Sequence, residues 1–119
     1  MNKREADFFR QLLTQRRREL LSGKTIEAID GEEHFADPTD RASLEADRNF
    51  ILRIRDRERR LLIKIEEALS RLDKGVYGIC EACGDEIDIA RLKARPVTTL
   101  CIQCKSSQEV EEKKNRRLL

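Results

Sequence analysis

Four cysteines fall in two pairs, Cys80-x-x-Cys83 and Cys101-x-x-Cys104, with 17 residues between the pairs. That is the spacing of a four-cysteine zinc site, in which each tight turn presents two thiolates to one tetrahedral ion at about 2.3 Å. Gly84 follows Cys83 and can take the backbone conformation such a knuckle needs. Four protein ligands leave no position for water or substrate, so the expected Zn2+ is single, structural and not catalytic. Four thiolates leave the centre at about −2, a charge that Lys93, Arg95 and Lys105 are placed to offset. The other use of the same residues is a thiol redox switch in which oxidation releases the metal, and the two roles can coexist. His34 is too remote to be needed as a ligand.

The second group with chemical potential is acidic. Charged residues make up 40% of the 119-residue chain, and its net charge is only +2, but the charges are segregated. Residues 1–24 carry +4, residues 27–47 carry −7, residues 48–64 carry +5, and residues 65–119 hold ten charges of each sign. The −7 block contains Glu27, Asp30, Glu32, Glu33, Asp37, Asp40, Glu45 and Asp47. A chain that binds nucleic acid along its whole length would not set such a block between two basic ones. No Ser–His or Cys–His set supports a hydrolase, and no enzymatic activity is expected.

The elements that must position these groups are helical. Aromatic residues are 4% of the chain and Trp is absent, too little to fill a sandwich, a barrel or a doubly wound sheet. From Glu5 to about Ile29, the residues Phe9, Leu12, Leu13, Leu20, Leu21 and Ile29 recur on one helical face, with Ser22-Gly23 as a weak point and Gly31 as a stop. A second stripe runs through Ile51, Ile54, Leu61, Leu62, Ile65, Ala68, Leu69 and Leu72, interrupted by Glu58, for which Arg16 is a candidate partner. Asp37 suits the N-cap of this helix, Pro38 its first position and Asp40 its N3 position. Ending at Gly75, it would be roughly 35 residues and about 50 Å long. The basic face (Arg53, Arg55, Arg57, Arg59, Arg60, Lys64) is expected to be partly solvated, with intrahelical pairs such as Asp56–Arg60.

The expected fold is therefore mainly α: a long antiparallel coiled-coil hairpin, a small four-cysteine zinc-finger module and a C-terminal helix. Residues 1–75 form the hairpin with an acidic tip near 31–42, residues 76–106 the finger, and residues 107–119 a helix packing on the base. Val76 to Ile79 reads as a short strand leading to a turn, and Asp88 to Lys93 as a short helix ending before Arg95-Pro96. The final amphipathic helix runs from about Cys101 to Arg117. The charged N-terminus and the lack of a long apolar run imply a cytoplasmic protein with no membrane association. A hairpin that buries its own stripe implies a monomer.

Several runs carry a family resemblance: Asp37-Pro38-Thr39-Asp40-Arg41-Ala42, Arg55-Asp56-Arg57-Glu58-Arg59, and Tyr77-Gly78-Ile79-Cys80-Glu81-Ala82-Cys83-Gly84. So do Ile89-Ala90-Arg91-Leu92-Lys93-Ala94-Arg95-Pro96 and Leu100-Cys101-Ile102-Gln103-Cys104-Lys105. Together they resemble the DksA/TraR family of bacterial transcription factors over nearly the whole chain. The resemblance implies direct binding to RNA polymerase, with the coiled coil entering the secondary channel, and no direct sequence-specific DNA binding. It implies a coiled-coil tip at Asp37, Asp40 and Ala42 that destabilises promoter open complexes, as in rRNA promoter control during the stringent response. It further implies ppGpp binding between protein and polymerase by Lys64, Arg95 and Lys105, and polymerase contacts by Arg57, Leu61 and Arg91. Two departures accompany the match: longer family members carry a further segment before the coiled coil, and residue 103 is Gln where an acidic residue is usual. The alternative reading of the residues is a zinc-ribbon nucleic-acid-binding adapter, motivated by the basic segments and weakened by the acidic tip and the few aromatics.

Overall fold

In the computed structural model, residues 1–23 and 41–118 are described. Four helices occupy them: α1 (Lys3–Ser22), α2 (Arg41–Asp73), α3 (Ile89–Ala94) and α4 (Ile102–Leu118). Helix α1 begins at Asn2, whose side chain accepts the Glu5 backbone N–H at 2.8 Å and so satisfies one orphan donor of the first turn. It ends sooner than its hydrophobic stripe suggests. Gly23 closes it in the left-handed region at φ 67, its N–H reaching the Leu20 carbonyl, so the expected weak point is the stop. Helix α2 has 33 residues, about 50 Å of rod. The expected cap at Asp37, Pro38 and Asp40 lies outside the described residues.

The two long helices run antiparallel, and their ion pairs set the register. Arg10 pairs with Asp73 at 2.7 Å and Arg17 with Glu66 at 3.7 Å, so residues whose numbers add to 83 face each other. Arg16 therefore lies opposite Glu67, about nine residues or ~13 Å along the rod from Glu58. That offset is why the expected Arg16–Glu58 pair does not form. Phe9 and Leu13 from α1 and Ile65 from α2 are wholly buried, with Ala68 beside them. Leu21, expected in the stripe, is 62% exposed.

The hairpin core continues without a break into the finger. Tyr77, Cys80, Ile87 and Leu92 join the same buried cluster, edged by Leu69, Leu72, Ile89, Val97 and Leu100. The Phe9 and Tyr77 rings lie 5.4 Å apart, and the Tyr77 hydroxyl donates to the Pro96 carbonyl at 2.7 Å. On the other side of Phe9 stands Phe8, 5.2 Å away and edge-on, with the Lys93 ammonium 5.8 Å above its ring.

The Val76–Ile79 stretch is not a strand. A single antiparallel bridge joins Ile79 to Glu86, because Gly78 at φ 81 turns the chain and brings it against Met1 and Leu92. An added Cβ at Gly78 would sit 2.8 Å from the Met1 methyl. The short helix forms close to its expected place, with Asp88 in the N-cap position. Helix α4 starts inside the finger, between its last two cysteines, and residues 106–117 are exposed. Among the described residues, α1 and α2 are the only helices whose backbones run close together.

Two outcomes follow from this core. Leu13→Ala should cost about 2–5 kcal/mol, the range for a large buried aliphatic truncated where neighbours cannot collapse, measured by chemical denaturation. Burial pushes the Tyr77 hydroxyl up to about 12 from 10.0. The folded chain therefore resists an ionisation that the unfolded chain undergoes near pH 10. The stability this contributes is full below about pH 10 and is lost as pH rises through about 12. Tyr77→Phe should lower stability by about 1–3 kcal/mol at neutral pH, by stranding the Pro96 carbonyl, yet flatten the alkaline loss of stability in a pH series of thermal melts.

Candidate functional site

Two turns carry the cysteines. In the first, the Cys80 N–H donates to the Asp85 carbonyl at 2.8 Å and the Gly84 N–H donates back to the Cys80 carbonyl at 3.0 Å. Gly84 holds φ 77, a conformation that favours glycine and that brings Cys83 back beside Cys80. In the second, Cys101 precedes the first turn of α4; its carbonyl accepts the Lys105 N–H at 2.9 Å and its sulfur accepts the Cys104 N–H at 3.5 Å.

Hydrogen bonds across the finger bring the two turns together. Glu81 N–H donates to Thr99 O at 2.9 Å. Arg91 reaches from α3 to the loop before Cys101, its Nε donating to Leu100 O at 3.1 Å and a terminal nitrogen to Thr98 Oγ1 at 3.4 Å. The four Sγ atoms lie within 4.8 Å of one another, and Cys83 Sγ is 3.8 Å from Cys101 Sγ. Four sulfurs at about 2.3 Å around a tetrahedral ion would be about 3.8 Å apart. The donor set fits one zinc and offers no open position. Among the described residues no other Cys, His, Asp or Glu group is arranged for a metal.

The thiols divide in their protonation. Backbone N–H groups, that of Cys101 first and Cys83 next, draw Cys80 down to about 6. The neighbouring thiols, Cys101 foremost, push Cys104 up to about 12. Cys83 is held down by the Asp85 backbone, yet the Cys80 thiol and burial leave it raised on balance. Four sulfurs this close cannot all ionise without a cation among them.

The other expected site residues come from several elements. Lys64 is exposed on α2, and Arg95 is exposed at the C-cap of α3. Lys105 is half-buried, its ammonium donating to Gln108 Oε1 at 3.3 Å. Arg57 is exposed, Leu61 is half-buried at the edge of the core, and Arg91 is engaged with the finger as described. Asp37, Asp40 and His34 lie outside the described residues, and Ala42 is described only as part of α2. On the basic face, Asp56 pairs with Arg59 at 3.9 Å, while Arg60 reaches the Asp56 carbonyl and not its carboxylate. Sequence reasoning missed Arg71, in the last turn of α2, which donates to the Glu81 carboxylate and to the Val76 and Ile79 carbonyls. A cation at a helix C-terminus is an ordinary sight, so its only signal was position.

Comparison with known proteins bears on both halves. The family described as DnaK suppressor protein DksA, N-terminal domain, matches residues 5–72, and the prokaryotic dksA/traR C4-type zinc finger matches residues 75–110. The chain is 42% identical over 119 residues to an RNA polymerase-binding transcription factor DksA of Caulobacter vibrioides, covering 98% of this chain and 84% of that one. It is 42% identical over 116 residues to the Escherichia coli protein of the same description, covering 95% and 77%. The solved structure of transcription factor DksA2 from Pseudomonas aeruginosa superposes with a TM-score of 0.79 at 44% identity, covering 95% of this chain and 89% of that one.

The cysteine cluster accordingly holds one structural zinc. Elemental analysis of the reduced protein should find one zinc per chain, and Cys80→Ser should bring it well below one. Zinc binds thiolates and so releases thiol protons, and its affinity should rise as pH rises, read by chelator competition. The N-terminal family over residues 5–72 and the four-cysteine finger over 75–110 are matched in that order, and the chain belongs to the DksA/TraR family of zinc-finger transcription factors.

Proposed function

We propose that this protein is a transcription regulator that binds bacterial RNA polymerase directly, its hairpin entering the secondary channel and its zinc module remaining at the rim. The observation that carries the reading is the likeness to RNA polymerase-binding transcription factors along 98% of the chain. A rod of about 50 Å suits the reach required, and no helix among the described residues is long and apolar enough to cross a membrane.

On this reading Asp37, Asp40 and Ala42 form the tip that acts near the catalytic centre of the polymerase and destabilises open complexes. Lys64, Arg95 and Lys105 hold the phosphates of ppGpp against the polymerase surface by charge-assisted hydrogen bonds, Arg95 in bidentate fashion. Arg57 and Leu61 contact the channel wall. Arg91 commits two nitrogens to Leu100 and Thr98, so Arg91→Ala would combine a lost polymerase contact with a loosened finger. The protein acts as a monomer in the cytoplasm and has no catalytic residues of its own.

The test is transcription by purified bacterial polymerase from a ribosomal RNA promoter, with and without ppGpp. The wild-type protein should reduce transcript and shorten the open-complex lifetime, more so with ppGpp. Asp40→Asn should abolish that effect while changing polymerase affinity by no more than about fivefold, the ~1 kcal/mol ceiling of an exposed charge. Equal loss of binding and effect would make the tip an anchor. Tight duplex DNA binding at low salt without polymerase would instead favour a nucleic-acid adapter.

A further inference from the structure

The joint between rod and finger is a bend at Lys74-Gly75, with the shared core on its inner side. Gly75 sits at φ 73 with nothing within 4 Å of where a Cβ would stand. Beside that core, one side chain bridges the bend by hydrogen bonds. Arg71, only 16% exposed, donates from one terminal nitrogen to Glu81 Oε1 at 2.5 Å. Its other terminal nitrogen donates to Ile79 O at 2.7 Å and to Val76 O at 3.2 Å. The Arg71 carbonyl accepts the Val76 N–H at 3.0 Å and the Tyr77 N–H at 3.2 Å.

The places these bonds reach decide what the residue does. Ile79 directly precedes the ligand Cys80, and Glu81 lies between Cys80 and Cys83. A zinc centre of about −2 would repel the Glu81 carboxylate; the guanidinium pairs that carboxylate and fixes its position. We infer that Arg71 is a positioning residue that couples the first zinc knuckle to the end of the hairpin, so that metal binding and order in the last turns of α2 depend on each other. The coupling must be reciprocal: whatever tightens zinc by holding the knuckle is tightened in turn by zinc. Lysine cannot replace Arg71, since a point ammonium cannot span a carboxylate and two carbonyls as a planar fork does.

The test uses the full chain and two readouts, zinc affinity by chelator competition and amide hydrogen exchange of residues 66–74 with and without zinc. In the wild type, zinc should slow exchange in that segment. Arg71→Lys should weaken zinc by about tenfold, the lower figure for losing a supporting partner of a metal ligand, and should make exchange in 66–74 insensitive to zinc. Glu81→Gln, which keeps both carbonyl bonds, should give a smaller change in the same direction and serves if Arg71→Lys fails to fold, as judged by circular dichroism. Wild-type zinc affinity together with a preserved zinc response in the variants would overturn the assignment, as would a wild-type segment that does not respond to zinc.

Discussion

Eight buried side chains, drawn from both long helices, the first cysteine turn and α3, meet at one end of the rod. Everything else in the molecule depends on that shared core. A chain with 40% charged residues has too few apolar groups for two separate cores, so the hairpin and the finger each complete the other. Phe9 and Leu13 cover Ile65, Tyr77 covers Phe9 and is held by Pro96, and Cys80 is at once a metal ligand and part of the apolar cluster. Zinc adds what burial cannot supply to a module this small, a cross-link whose binding energy is folding energy.

A single core at one end has a mechanical consequence. The polar length of α2 beyond it is a lever whose direction is set at the base. The ion pairs Arg10–Asp73 and Arg17–Glu66 lie along the rod near the core and fix register more than they add stability, since exposed pairs are worth about 0–1 kcal/mol. At the bend the shared core is supplemented by Arg71, which is tied to both sides. The finger is thus both the anchor of the rod and the part whose metal state the rod can feel.

Much of this was legible in the residues. The cysteine spacing carried the metal site outright, because two tight turns around one ion permit little else. The helical stripes carried the hairpin, and Gly75 its end. Where reading along the chain erred, the cause was three-dimensional. Arg16 and Glu58 each sit in a gap of a stripe, but the register places them about nine residues apart along the rod. Val76 to Ile79 has the composition of a strand, yet its carbonyls are taken by Arg71 and its path is turned by Gly78.

The sequence by itself determined the donor set, the helical class and the charge segregation, because each depends on neighbours at short, fixed separations: two residues for a knuckle, three or four for a helical face. The tertiary structure alone decided which helix faces pair and at what register, that hairpin and finger share one core, and that Arg71 bridges to Glu81 and Ile79. Those outcomes depend on residues far apart along the chain meeting in space, and the energy of such a meeting is written in no local pattern.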